Sequence, residues 1–199
     1  MRKKILLSLA VLATILFATF IMGNVNAPST NSRAKEHAET ALEYCKTNGL
    51  RTDYCILVDF DVHPGKNRFF VWDFNKREIV YSTICEHGRG GKSTHMVPDF
   101  SNKCGSRCTS IGKYYVMNKR HMYNHPSVPC YVVKGADPTN SNAMARGLLI
   151  HPSACQIPTY PFPLQHRTEG CFGLSLRGFY KVDHYKKMSS KPMLLWAYK

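Results

Sequence analysis

The sequence predicts a mostly β domain, a β-sandwich carrying a short N-terminal helix and a peripheral helical segment. Three observations lead there. Tyr54, Ile56, Val58, Phe60 and Val62 alternate with Cys55, Leu57, Asp59 and Asp61, the period of two that a strand requires. Short apolar runs of this kind recur along the chain, separated by turn residues. The 199 residues, 44% hydrophobic and 20% charged, suit one globular domain with a substantial core and exclude a disordered, collagenous or coiled-coil chain.

Taken in order, Ala34, Ala38, Ala41, Leu42 and Cys45 fall at helical spacing, and Asn48-Gly49 supplies the stop signal, so a short helix over 34–46 is expected behind a polar linker at 28–33. The alternating strand from Tyr54 ends at a turn, His63 to Asn67. An aromatic-rich strand follows from Arg68 to Phe74, then a turn at Asn75 to Glu78 and a third strand from Ile79 to Cys85. Residues 86–110, with Gly88, Gly90, Gly91 and Gly105 among Ser, Thr and Asn, read as loop. Further strands are expected at 111–117, 130–134, 146–151, 172–177 and 193–198, with a second helix at 181–190.

The first 27 residues stand apart from this fold. Arg2, Lys3 and Lys4 precede an uncharged run from Ile5 to Met22, the layout of a secretory signal or an N-terminal membrane anchor, with Val25-Asn26-Ala27 as a cleavage site. The expected division is therefore 1–27 leader or anchor, 28–53 linker and helix, and 54–199 functional domain. The first cysteine, Cys45, lies too far downstream for a lipoprotein. The formal charge is +14, and three of its cations lie in the leader, so the rest of the chain carries +11. That charge favours anionic substrates and cell-envelope polymers. The cations are scattered and no nucleic-acid motif is present, so nucleic acid is not an expected partner. In an exported chain several of the eight cysteines can pair; an odd seven would remain if one is a reactive thiol.

The chemistry concentrates late in the chain. Arg146-Gly-Leu-Leu-Ile-His151 ends an apolar run in a histidine, and Thr168-Glu-Gly-Cys-Phe-Gly173 sets Cys171 between two glycines. Glycine allows close backbone approach and positive φ, which suits an oxyanion-binding turn. An imidazole beside a thiol can remove its proton and lower its pKa toward neutrality. The other reading makes Cys171 half of a disulfide and His151 a hydrogen-bonded strand end.

These blocks resemble the catalytic domain of the L,D-transpeptidases, in particular a murein branch with an SxGC-like signature. The resemblance runs through Phe100-Ser101-Asn102 with Gly105-Ser106 and Thr109 to Tyr114, then Asn142-Ala143 with Arg146 and Leu149-Ile150-His151, then Arg167 to Cys171. The early hairpin and His87-Gly88 fit in order, so the match covers roughly 54–198. It implies a β-sandwich with Cys171 as nucleophile and His151 as general base. It implies backbone N–H groups of Gly170 and Cys171 as oxyanion donors. It implies Arg167, Thr168, Arg146 and His87 at the substrate, with Arg167 holding a stem carboxylate or stabilising the thiolate. The implied reaction forms a thioester on a peptidoglycan tetrapeptide stem with loss of D-alanine. A second stem's amine resolves it to a 3→3 cross-link. Neither metal nor soluble cofactor is implied, and a carbapenem-like agent would acylate Cys171. Water as acceptor would make an L,D-carboxypeptidase, and a locked Cys171 would leave a silent envelope-binding domain.

The sequence departs from the family pattern at Glu169, where many members have His, and at Pro152, which lacks an N–H. A carboxylate beside the nucleophile would raise its pKa if it faced inward; an outward orientation is the simpler expectation. Cys155 lies within the stretch between His151 and Cys171. Elsewhere, His121 and His125 stand four apart, but Pro126 and a loop reading argue against a metal site. Cys104 and Cys108 suit a local disulfide better than a metal site. Residues 88–94 end like a phosphate loop with the wrong glycine spacing. The aromatics Phe69, Phe70, Trp72 and Phe74 are read as core in preference to a sugar platform.

Overall fold

The computed structural model describes residues 30–153 and 166–199. The leader reading, Cys155 and the prolines at 158, 161 and 163 lie outside those residues. The main compact unit is Ala34–Lys199, and the first helical turn, 30–33, belongs to an N-terminal unit. Where the sequence suggests linker at 30–33, the chain is already helical: α1 runs Thr30–Thr47.

Eight strands follow: β1 Tyr54–Asp59, β2 Phe69–Asp73, β3 Glu78–Thr83, β4 Gly112–Met122, β5 His125–Gly135, β6 Leu149–Pro152, β7 Phe172–Leu174 and β8 Met193–Tyr198. A second helix, α2, spans Leu176–Lys187. All eight strands share one sheet in the order β3-β2-β1-β8-β4-β5-β6-β7. The β1–β8 and β6–β7 pairs are parallel, the others antiparallel.

The two layers expected of a sandwich are two parts of this continuous sheet. Phe172 of β7 packs edge-on against Tyr114 of β4, with ring centres 5.4 Å apart, and stacks near Phe60 at 6.3 Å. Beyond β3 the chain crosses to the opposite sheet edge, where Glu86 N–H donates to Gly173 O and Arg89 N–H to Thr168 O, each at 2.8 Å. The curl encloses a core of Ile56, Val58, Phe69, Val71, Tyr114, Ile150, Phe172 and Leu195, which Phe179 and Val182 of α2 help to close.

Strand alternation sends Cys55, Leu57, Phe70 and Trp72 to the other face, where the small-residue side of α1, Ala34, Ala38, Ala41 and Cys45, covers them. Phe69, Phe70, Trp72 and Phe74 are all buried, so they are core on both faces.

Three elements differ from the sequence reading. The strand expected at 172–177 stops at Leu174, because Ser175 accepts the Gly178 N–H at 2.9 Å and caps α2, which therefore starts before the expected 181. The strand expected from 146 begins at Leu149, with residues 141–147 in turns. The β4–β5 hairpin is much longer than expected. Its polar outer half projects into solvent, where no apolar alternation marks a strand, and His121 and His125 sit exposed on it, paired with Pro129 and Met122. They are on two strands of a hairpin and not on one helical face.

Candidate active site

The parallel β6–β7 ladder pairs Ile150 with Phe172 and His151 with Gly173. Ile150 and Phe172 point into the core, so by alternation Leu149, His151 and Cys171 share the opposite face. The structure thus brings Cys171 and His151 onto one face of adjacent strands, diagonal to each other. Gly173 leaves a space there that the Glu86 carboxylate fills: a Cβ on Gly173 would stand 2.3 Å from Glu86 Oε2. Glu86 is buried and accepts a hydrogen bond from Ser153 Oγ at 2.9 Å.

His151 has a defined tautomer. Its Nδ1 lies 2.9 Å from the Pro152 carbonyl, which can only accept, so Nδ1 carries the proton and Nε2 keeps its lone pair. Proline at 152 removes an N–H but retains this carbonyl. Burial holds the His151 pKa below the usual histidine value, against the opposing Pro152 contact.

Cys171 is only 9% exposed and its Sγ contacts the Gly147 carbonyl at 3.8 Å. Burial pushes the thiol up to about 11. The Leu149 N–H and the Arg146 charge pull it down, while Cys130 and Glu169 push it up. Burial thus favours the neutral form of each group, and the thiol pKa lies on the other side of its ordinary value from the lowering anticipated for a thiolate–imidazolium pair. Desolvation outweighs the nearby cation because both partners are withdrawn from water.

The turn before Cys171 is closed by Thr168. Its hydroxyl accepts the Gly170 N–H at 3.1 Å and donates to the Cys171 carbonyl at 2.7 Å. That hydroxyl shapes the turn from within the protein. It also engages the Gly170 N–H, one of the two expected oxyanion donors. Glu169 points outward, 54% exposed, where it pairs with Arg89 and with Arg107 Nε at 3.0 Å.

The remaining anticipated site residues are held by the protein itself. His87 is buried, accepting from Arg68 Nη2 at Nδ1 and donating from Nε2 to Thr94 O, each at 2.8 Å. Burial and the facing Arg68 cation press its pKa down to about 3. With both ring nitrogens engaged it braces the loop over 86–94, in contrast to the substrate contact expected of it. Arg167 Nη1 donates to Ser93 O at 2.6 Å. Arg146 Nη1 donates to Ser101 O at 2.7 Å and Ser110 Oγ at 2.6 Å, and Nη2 donates to Cys108 O. Arg146 is thus bonded to protein groups, where a substrate contact was anticipated.

Sequence reading did not point to Cys130, Leu149 or the Cys108 carbonyl as parts of the site. Cys130 and Leu149 pack with Cys171, and nothing local marks a strand neighbour that only sheet order supplies. Among the described residues no cysteine is bonded to another, so the Cys104–Cys108 pair expected from spacing is not joined; Cys104 is exposed and Cys108 buried. Among the same residues no three metal-ligating side chains converge.

A curled mixed sheet thus presents a cysteine behind a glycine turn on the same strand face as a histidine of fixed tautomer. The chain belongs to the L,D-transpeptidase catalytic domain family, whose model matches residues 26–196. No curated protein matches it. Solved structures similar to it include an L,D-transpeptidase from Mycobacterium smegmatis (14% identity, TM-score 0.43, covering 74% of this chain and 59% of that one). Another is Bd1075 of Bdellovibrio bacteriovorus (15%, 0.45, 77% and 50%). A third is the helical cell shape determining protein Pgp2 of Campylobacter jejuni (15%, 0.47, 73% and 47%). The chain spans about half to three-fifths of the length of these three proteins.

Proposed function

We propose that this chain is an exported cysteine acyltransferase that acts on peptidoglycan stem peptides. The observation that carries the reading is the placement of Cys171 and His151 on one face of paired strands, with the Nδ1 proton of His151 held by Pro152 O. In the proposed reaction His151 Nε2 takes the Cys171 proton as Sγ attacks the carbonyl carbon of the third stem residue. The Cys171 N–H receives the developing oxyanion. The carbon–nitrogen bond breaks, the imidazolium returns its proton to the departing D-alanine amine, and a thioester remains. A second stem's side-chain amine then attacks the thioester, and its proton passes through His151 back to the departing thiolate. The buried, neutral resting thiol suits this sequence, because the proton moves only once a substrate carbonyl is in place.

The leader-like residues 1–27 support a cell-envelope location for this activity, with the chain tethered there if they are retained. The +11 charge of the remainder draws it toward anionic wall polymers. Intact-mass spectrometry with a tetrapeptide stem tests the reading on wild type, Cys171→Ala and His151→Ala. A Cys171-dependent adduct with loss of D-alanine is expected, followed by a cross-linked dimer. A tripeptide product would mean that water resolves the thioester. Absence of any adduct on a reduced Cys171 would overturn the enzyme reading in favour of an envelope-binding domain.

A further inference from the structure

Three segments distant in sequence meet at one side chain. Arg146 Nη1 reaches the Ser101 carbonyl and the Ser110 hydroxyl, and Nη2 reaches the Cys108 carbonyl. The same Nη2 lies 3.2 Å from the position a Cβ on Gly170 would take, and the Cys108 carbonyl 2.5 Å from it. Arg146 is followed by Gly147, with φ +67°, whose carbonyl contacts Cys171 Sγ. The guanidinium is therefore wedged between the 101–110 loop and the turn that carries Cys171, while the carbonyl of the next residue, Gly147, touches the thiol.

We propose that Arg146 is a positioning residue for Cys171. Its planar fork locks the 101–110 loop against Gly170 and fixes the Cys171 N–H where an oxyanion would form, and it presents a fixed positive charge to the thiolate. This deepens the acyl-transfer reading and rests on it. It assigns to Arg146 the thiolate-stabilising part for which Arg167 was the sequence candidate.

Two independent features agree. Three acceptors on one guanidinium are a geometry that a lysine point charge cannot reproduce. Arg146 is a cation that favours the ionised form of Cys171, whereas Cys130 and Glu169 oppose it. Arg167 acts on His87. Burial of the thiol opposes ionisation throughout, so removing a cation that favours it is felt directly.

The test uses the full chain and two readouts. The first is the rate of Cys171 alkylation by iodoacetamide from pH 7 to 9, resolved by peptide mass spectrometry because other thiols are present. The second is steady-state turnover of the tetrapeptide stem. Arg146→Gln is expected to slow alkylation of Cys171 roughly three- to tenfold at fixed pH, since one pKa unit changes the thiolate fraction about tenfold. It should lower kcat at least about tenfold with KM changed less than twofold, as expected for a transition-state effect. Arg146→Lys should retain the alkylation rate and still lose kcat, and Arg167→Gln should leave alkylation unchanged. Ser110→Ala, which keeps the charge and deletes one acceptor, should lower kcat without altering alkylation. If Arg146→Gln does not fold, Arg146→Lys and Ser110→Ala decide.

A raised KM with unchanged kcat would return Arg146 to substrate binding and overturn the proposal. So would wild-type kcat in Ser110→Ala together with Arg146→Lys. Alkylation needs no substrate. A wild type that never turns over but shows Arg146-dependent alkylation would remove the acyl-transfer reading and leave the positioning role standing.

Discussion

The carbonyl oxygen of Cys108 lies 2.5 Å from the position that a Cβ on Gly170 would occupy, so the 101–110 loop and the turn that carries Cys171 are in direct backbone contact. Gly170 also has φ +115°, a conformation that L side chains rarely adopt. Its glycine is required twice, by the backbone angle and by the neighbour. Arg146 donates to the same carbonyl. The turn ahead of Cys171 is therefore set by a contact between segments distant in sequence, and it should respond sharply to changes at either one.

Gly170→Ala should cost about 1–3 kcal/mol from strain alone and reduce turnover at least about a hundredfold, because a 1 Å shift of a catalytic group can cost that much. Thermal melting and stem-peptide kinetics on the same preparation would check both. Retained turnover would mean that the turn can relax without moving the Cys171 N–H.

Glu169→Gln should be nearly silent in stability, within about 0.5 kcal/mol, as expected of exposed ion pairs. Its carboxylate faces Arg89 and Arg107 and not the thiol, so Cys171 alkylation should rise only slightly as one unfavourable charge is removed. Peptide-resolved alkylation beside a melting curve measures this, and a large rise in reactivity would show that Glu169 swings inward.

Acid should weaken the fold through His87. Its folded pKa, pressed to about 3, lies below the ordinary histidine value. Between about pH 6.5 and 3 the unfolded chain therefore binds the extra proton and stability falls as pH falls. Denaturant midpoints over that range should decline in wild type and decline less steeply in His87→Gln, provided that variant folds.

Alkali should weaken it through the thiols. Burial raises Cys45 and Cys85 to about 12 and Cys171 to about 11. Their contribution is intact below the unfolded thiol pKa of about 8.5 and is lost as pH rises through the folded values, because the unfolded state releases protons first. Chemical denaturation from pH 8 to 11 should show a continuous loss, smaller in Cys45→Ala once its cavity cost is measured at pH 7.

The α1–sheet interface offers a packing test. Ala41 is fully buried where the helix lies on the sheet, so Ala41→Leu should overpack it by roughly 1–3 kcal/mol. The expected readout is a lower melting temperature with Cys171 alkylation unchanged, since the site lies on the other half of the curled sheet.

The amino-acid sequence by itself determined the mostly β class, the positions of β1 to β3 and β8, the helix at Ala34 to Cys45, and the pairing of His151 with Cys171 as candidates. Each rests on local periodicity or on motif blocks that survive without knowledge of neighbours. Tertiary structure decided the rest, because it depends on sheet order and burial. The polar half of the β4–β5 hairpin carries no apolar period, and Ser175 could be seen to end β7 only by its cap. His87, Thr168 and Arg146 looked like substrate contacts because polar residues near a motif resemble a binding surface. Their hydrogen bonds turn inward instead, to Arg68, Gly170, Ser101 and Ser110. The thiol pKa was likewise a property of the fold: a histidine candidate can be read from sequence, but the desolvation that raises the thiol exists only once the sheet has closed around Cys171.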